Sequence, residues 1–157
     1  MGNIREIRGY MEPDYTAFKE MFGEYFLNDF NIELTEKELE NICREITQKV
    51  KENILFLDLL MLNNSAKGFI IYQIDSPSSD WCEKEGYGFI RELFIAADFR
   101  KKGYGKDLAV YAENKLWDLS VPYIYLTAYE SKNFWIKTGY QDSGEVSAKN
   151  DDRIYIK

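Results

Sequence analysis

The chain has 157 residues and a mass of 18.5 kDa, enough to bury a core without disulfide or metal staples, and 45% hydrophobic with 30% charged residues argues against disorder. Asp and Glu number 27 against 20 Lys and Arg, and the net charge of −7 argues against a duplex nucleic-acid binder or a general affinity for anionic membrane. The absence of histidine removes Ser-His-Asp and Cys-His catalysis and the common His-based metal sites.

In chain order, residues 3–8 alternate weakly around Ile4 and Ile7 and predict a short strand. Glu12-Pro13-Asp14 then starts a helix, with Pro pre-set for the first turn. Tyr15, Phe18, Phe22, Tyr25 and Phe26 give that helix an aromatic face. Thr35 and Glu38 form a capping box, and Leu39, Ile42, Cys43, Ile46 and Val50 continue a second amphipathic helix. Residues 54–62 and 67–74 are strands joined by the polar turn Asn63-Asn64-Ser65, an antiparallel hairpin.

Residues 76–86 are a polar loop holding Trp81 and Cys82, and residues 87–96 are a third strand of this group. A helix after Gly105 carries Leu108, Ala112, Leu116 and Leu119. A strand over 122–127, a short helix over 131–137 stopped at Gly139, and a hairpin around Asn150-Asp151 complete the chain. The order β-α-α-β-β-β-α-β-α-β-β predicts an α+β fold, a twisted mixed sheet flanked by helices, as one domain over 1–157. Cys43 and Cys82 are far apart and outside any C-x-x-C, so neither a disulfide framework nor a zinc site is expected. Two unpaired thiols, a charged start and no apolar run long enough to span a bilayer predict a cytoplasmic protein.

The most informative stretch is Arg100-Lys101-Lys102-Gly103-Tyr104-Gly105-Lys106, between a strand and a helix. Four of its seven residues are cations, in a chain of negative net charge. Its glycines allow a tight turn and close backbone approach, and free amides at the helix start favour an anion such as pyrophosphate. A cationic loop that only links two elements is the plainer alternative. The Rossmann fingerprint fails because Leu108 occupies the third glycine position, and Walker A is absent.

Strand, Arg-x-x-Gly-x-Gly, helix resembles the acetyl-CoA motif of the GNAT superfamily of N-acetyltransferases. Glu92-Leu93-Phe94-Ile95 resembles the stretch that precedes it, and residues 133–140, Asn-Phe-Trp-Ile-Lys-Thr-Gly-Tyr, resemble the closing motif. The resemblance implies direct acyl transfer from acetyl-CoA to a primary amine. It implies a pantetheine arm along the amides around Phe94 and Ile95. It places a pyrophosphate on the amides of residues 101–106, with Arg100, Lys101, Lys102 and Lys106 near it.

Glu92 matches the strand glutamate that acts as base, a role burial would favour by raising its pKa; pairing with Arg91 is the alternative. The family often has an acid tyrosine where this chain has Trp135, which packs against cofactor or core. Tyr129 and Tyr140 are the candidate stand-ins, with ordinary packing as the alternative for each. Asp29, Glu33, Asp80 and Glu83 point to a cationic acceptor, or to plain solvated surface. The implied partners are a small-molecule or peptide amine acceptor and, as an open alternative, a second copy in a homodimer. Neither nucleic acid nor membrane nor metal is expected. A non-catalytic acyl-CoA-binding domain is the second functional reading.

Overall fold

The structure, a computed structural model, describes residues 4–157. Strand β1 (Arg5–Gly9) leads through a 3-10 turn over Glu12–Asp14 into helices α1 (Tyr15–Phe30) and α2 (Glu36–Lys51). Strands β2 (Phe56–Leu62), β3 (Ser65–Ile74) and β4 (Gly88–Ile95) follow. Helix α3 (Tyr104–Asp118), strand β5 (Ile124–Ala128), helix α4 (Lys132–Lys137), and strands β6 (Gln141–Val146) and β7 (Arg153–Ile156) complete it. The element order is the predicted one. The predicted first strand opened at Asn3, which lies outside the described residues.

Local chemistry sets the helix ends. The backbone N–H of Glu38 donates to the Thr35 hydroxyl and that of Thr35 to the Glu38 carboxylate, each at 3.1 Å, so the capping box starts α2. Helix α1 stops at Asn31, which takes the left-handed conformation at φ 54°.

The strands form one mixed sheet in the order β1-β2-β3-β4-β5-β7-β6. Among the described residues, only the β4–β5 pair is parallel. Alternation sends side chains to opposite faces. On one face Leu57, Leu59, Phe69, Ile71 and Phe94 pack under Phe18, Phe22 and Tyr25 of α1 and Cys43 of α2. On the other, Leu60, Ile70, Tyr72 and Ile90 pack under Leu108, Ala112 and Leu116 of α3.

The sheet is interrupted where a site could form. Opposite β3, the register passes from Ile71↔Glu92 to Tyr72↔Ile90, so Arg91 is an extra residue in β4, a β-bulge. A bulge bends its strand and increases local twist. Beyond it, β4 and β5 part. They pair only at Gly88↔Ile124 and Phe89↔Tyr125, where the two rings stack 4.5 Å apart. The rest of β4 has no partner on that side, and the wedge stays open between the strands.

Candidate active site

A cavity of about 1050 Å³ fills this wedge and runs from the start of α3 to the end of α1. Its wall carries both signs of charge, the cations Arg91, Arg100, Lys101 and Lys106 and the acids Asp29, Glu92, Glu130 and Asp152.

The wall at the start of α3 is built from backbone. Gly103 is the N-cap of α3 and sits at φ 88°, a conformation side chains disfavour. Lys101 is also left-handed, at φ 62°. These two turns reverse the chain, so that successive amides of residues 101–106 have no acceptor among the described residues. The first helical bond runs from the Asp107 N–H to the Gly103 carbonyl at 3.1 Å. Unpaired amides at a helix start carry partial positive charge and bind anions. Asp107 itself pairs with Arg5. Arg100 folds back, its Nε donating to the Ile95 carbonyl at 2.7 Å and its guanidinium lying over the Phe94 ring. Lys102 is placed differently. Its ammonium lies 5.7 Å from the Phe99 ring, and its side chain is not part of the cavity wall, although its amide belongs to the turn.

Along the wedge, the Ala96 N–H donates to Lys67 on the β3 side at 2.8 Å. Antiparallel residues alternate in the side they bond. Phe94 therefore bonds toward β3, and the amides facing the wedge are those of Leu93 and Ile95. The sequence reading named the amides around Phe94 and Ile95; the register keeps Ile95 and puts Leu93 in the place of Phe94. The register that decides it is a tertiary property.

Glu92 is half-buried on the α1 side, and the Tyr25 hydroxyl of α1 donates to its Oε2. Burial pushes the Glu92 carboxyl up to about 7, against the Tyr25 hydrogen bond and the nearby Arg91 charge, which lower it, and with the Asp29 charge, which raises it. The Tyr25 hydroxyl is pushed well above its ordinary range, by burial first and then by the Glu92 charge, so it stays a donor. Arg91 does not pair with Glu92. Its guanidinium donates to Asp80 at 2.9 and 3.3 Å and to Gln73 at 2.9 Å. Asp29 is raised by burial, lowered by Arg100 and raised by Glu130.

Of the four acidic residues read from sequence as acceptor-facing, only Asp29 lines the cavity. Asp80 is taken by Arg91 and Lys49, and Glu83 accepts from the Ser147 hydroxyl and the Ala148 amide. Glu33 lies outside the wall. Glu130 and Asp152 were missed: each stands in a short connection that carries no motif, and only the tertiary fold brings it here.

The tyrosine candidates separate. Tyr129 is exposed and lines the cavity. Tyr140 does not reach it. Its ring is fully buried, and its hydroxyl donates to Glu113 of α3 at 2.8 Å. The φ 104° turn at Gly139 sends Tyr140 toward α3, away from the wedge. Trp135 is buried, lines the cavity, and meets Phe134 and Tyr140 edge-on.

The placement of Tyr140 gives a stability prediction. Tyr140→Phe removes a hydrogen bond to a buried carboxylate and leaves Lys157, at 3.1 Å, as its remaining partner. The variant is expected to lose about 1.5–3 kcal/mol, the range for a bond to a charged group. Denaturant unfolding measures this, and turnover per folded molecule is expected to be unchanged.

The acetyltransferase (GNAT) family model matches residues 15–140, and the chain belongs to that family. That family is one of acetyltransferases. No curated protein sequence matches it. Among solved structures, a GNAT-family acetyltransferase from Staphylococcus aureus Mu50 superposes with a TM-score of 0.77 at 16% identity, covering 98% of each chain. The PaiA N-acetyltransferase of Thermoplasma acidophilum, in complex with coenzyme A, gives 0.74 at 18% identity, also covering 98% of each. A predicted acetyltransferase of Clostridium acetobutylicum, with acetyl-CoA, gives 0.75 at 19%, covering 94% of this chain and 96% of the other. At these identities the likeness is one of fold.

Proposed function

We propose that the chain transfers the acetyl group of acetyl-CoA directly to a primary amine carried by a cationic molecule. The observation that carries this is one cavity whose wall holds both the unbonded amides at residues 101–106 and the half-buried Glu92 carboxylate, raised to about 7. The amides and the Arg100, Lys101 and Lys106 side chains hold the pyrophosphate. The pantetheine arm lies beside β4, bonding Leu93 and Ile95 in place of a strand, with Trp135 against it. Glu92 takes a proton from the acceptor ammonium, and the neutral amine attacks the thioester carbonyl.

A carboxyl near 7 is a better base for this step than an ordinary one, because its protonated form is closer in energy to its ionised form at neutral pH. The leaving thiolate needs less help. A thiol has a pKa of about 8.5, so the thiolate departs without an acid. Tyr129 is the remaining candidate that could hydrogen-bond it. Among the described residues, Asp29, Glu130 and Asp152 form no ion pair within the chain, which favours a cationic acceptor. Phe30, Trp81 and Tyr129 add ring faces that attract cations, an effect of about 0.5–1 kcal/mol each when exposed.

The test is a panel of amines with acetyl-CoA, following release of free thiol. Spermidine, neamine and a lysine-containing peptide are expected to be acetylated at least tenfold faster than amino acids of zero or negative net charge. Tight acetyl-CoA binding without turnover on any amine would instead favour the non-catalytic acyl-CoA-binding reading.

A further inference from the structure

Glu92 lines two openings. One is the acetyl-transfer cavity. The other is a cleft of about 190 Å³ on the α2 side of β4, which Glu92 shares with Arg91. The second cleft is half polar in its wall: Glu45 and Lys49 of α2, Asp80 of the β3–β4 loop, and Arg91 and Glu92 themselves. Lys49 lies 3.3 Å from Glu45 and 3.6 Å from Asp80, and Asp80 lies 2.9 Å from Arg91. Two cations and two anions thus form a chain from beside Glu92 to Glu45, whose side chain is 69% exposed. The volume is several times the roughly 30 Å³ that one water occupies in the liquid, and a buried water needs two to four polar partners. This wall supplies them.

The reaction needs such an exit. The acceptor ammonium gives one proton to the Glu92 carboxylate. The amine then forms the N–C bond, the C–S bond breaks, and the second nitrogen proton goes to the CoA thiolate. One proton per turnover remains on Glu92 and must reach bulk solvent before the next cycle.

We propose that this proton leaves Glu92 through the cleft between α2 and the β3–β4 loop, along water held by Lys49, Asp80 and Glu45. The proposal rests on Glu92 being the base. The groups around that carboxyl are Tyr25 and Asp29 of α1, Glu45 and Lys49 of α2, Asp80 of the loop and Arg91 beside it. Tyr25 and Asp29 face the front cavity, Glu45, Lys49 and Asp80 face the cleft, and Arg91 lines both, so the carboxyl stands between a loading side and an unloading side. Asp80 is held down to about 2, chiefly by the Arg91 hydrogen bond, so it stays ionised and orients water without retaining the proton. Lys49 and Asp80 are positioning residues here.

Ile46 also lines the cleft and touches neither cofactor nor acceptor cavity. Ile46→Phe is expected to fill the cleft. With acetyl-CoA and spermidine, or neamine if the polyamine is not turned over, kcat is expected to fall about tenfold with the KM for acetyl-CoA unchanged. The solvent deuterium isotope effect on kcat is expected to rise, a change that altered packing alone would not produce. Unchanged kcat and isotope effect in a folded Ile46→Phe protein would overturn the route. Should that variant fail to fold, a crystal structure of the wild-type acetyl-CoA complex decides: waters linking Glu92 past Lys49 to the surface support the route, and a dry cleft overturns it. Full activity in Glu92→Gln would remove the base itself, whereas an impaired Glu92→Gln with an unaffected Ile46→Phe removes only the exit.

Discussion

Glu92→Gln is expected to lower kcat/KM for the amine by about a hundredfold at pH 7 and below, near the low end of what a positioned base contributes and equal to about 2.7 kcal/mol on the barrier. The pH dependence identifies the cause. In the wild type the reacting form is an ionised Glu92 beside an ammonium. Its rate rises with pH until Glu92 is ionised, near 7, and then levels off. The variant must wait for amine already neutral in solution. An alkylammonium has a pKa of about 10.4, so the variant's rate keeps rising through pH 8 and 9. The deficit therefore closes by about tenfold per unit above pH 7. Binding of acetyl-CoA, measured by calorimetry, is expected to be unchanged. Parallel profiles for the two proteins would take Glu92 out of the proton transfer.

The same substitution has a stability signature of opposite sign. The Glu92 carboxyl is raised from its ordinary value of 4.5 to about 7 by burial. Between these values the folded protein binds more protons than the unfolded chain, so wild-type stability falls as pH rises through that window. Glutamine does not ionise and can still accept from Tyr25. The melting temperature of Glu92→Gln relative to wild type is thus expected to climb from pH 4.5 to 7 and stay level above. A catalytic carboxylate held where water solvates it poorly costs the fold stability at working pH, which is the cost of its basicity.

How much of this could be read from the sequence depends on the range of the interactions. The α2 capping box and the glycine turn before α3 are made by neighbours in sequence, and both were legible. So was the element order, because β-strand and helix periods are local. The bulge at Arg91 was not. Residues 87–96 read as one uninterrupted strand, and only the partner residues Ile71 and Tyr72 reveal the extra residue. The wedge and the direction of the Phe94 amide depend on that bulge. Tyr25 was legible as part of the aromatic face of α1, but its bond to Glu92 spans 67 positions and depends on how α1 lies across β4. Asp80 and Glu83 looked like free acids because their partners, Arg91 and the backbone at Ala148, are brought to them only by the fold. Tyr140 misled for the converse reason: it is five residues from Trp135, yet the turn at Gly139 reverses its direction.

Gly105→Val is expected to remove most of the CoA affinity while leaving the chain folded. Gly105 is the second residue of α3, and its amide belongs to the unbonded set at residues 101–106. A Cβ placed there would stand 3.5 Å from the Phe134 ring and 3.8 Å from Ile95, in ordinary contact, with all three residues on the cavity wall. The first carbon therefore fits, and the two methyls of valine extend into the space the pyrophosphate needs. Valine also has a better intrinsic helix propensity than glycine, so the backbone gives no reason for unfolding. Losing two charge-assisted bonds at about 1.5–3 kcal/mol each amounts to roughly 3–6 kcal/mol, or a factor of about 10²–10⁴ in Kd. Gly103→Val works differently. A Cβ at Gly103 meets nothing within 4 Å, but φ is 88°, where a β-branched residue is strained. That variant is expected to lose stability as well as affinity, by about 1–2 kcal/mol for the conformation alone. Calorimetric titration with CoA, alongside melting curves, separates the two effects. An unchanged Kd in folded Gly105→Val would move the pyrophosphate away from the start of α3, and with it the orientation of the thioester toward Glu92.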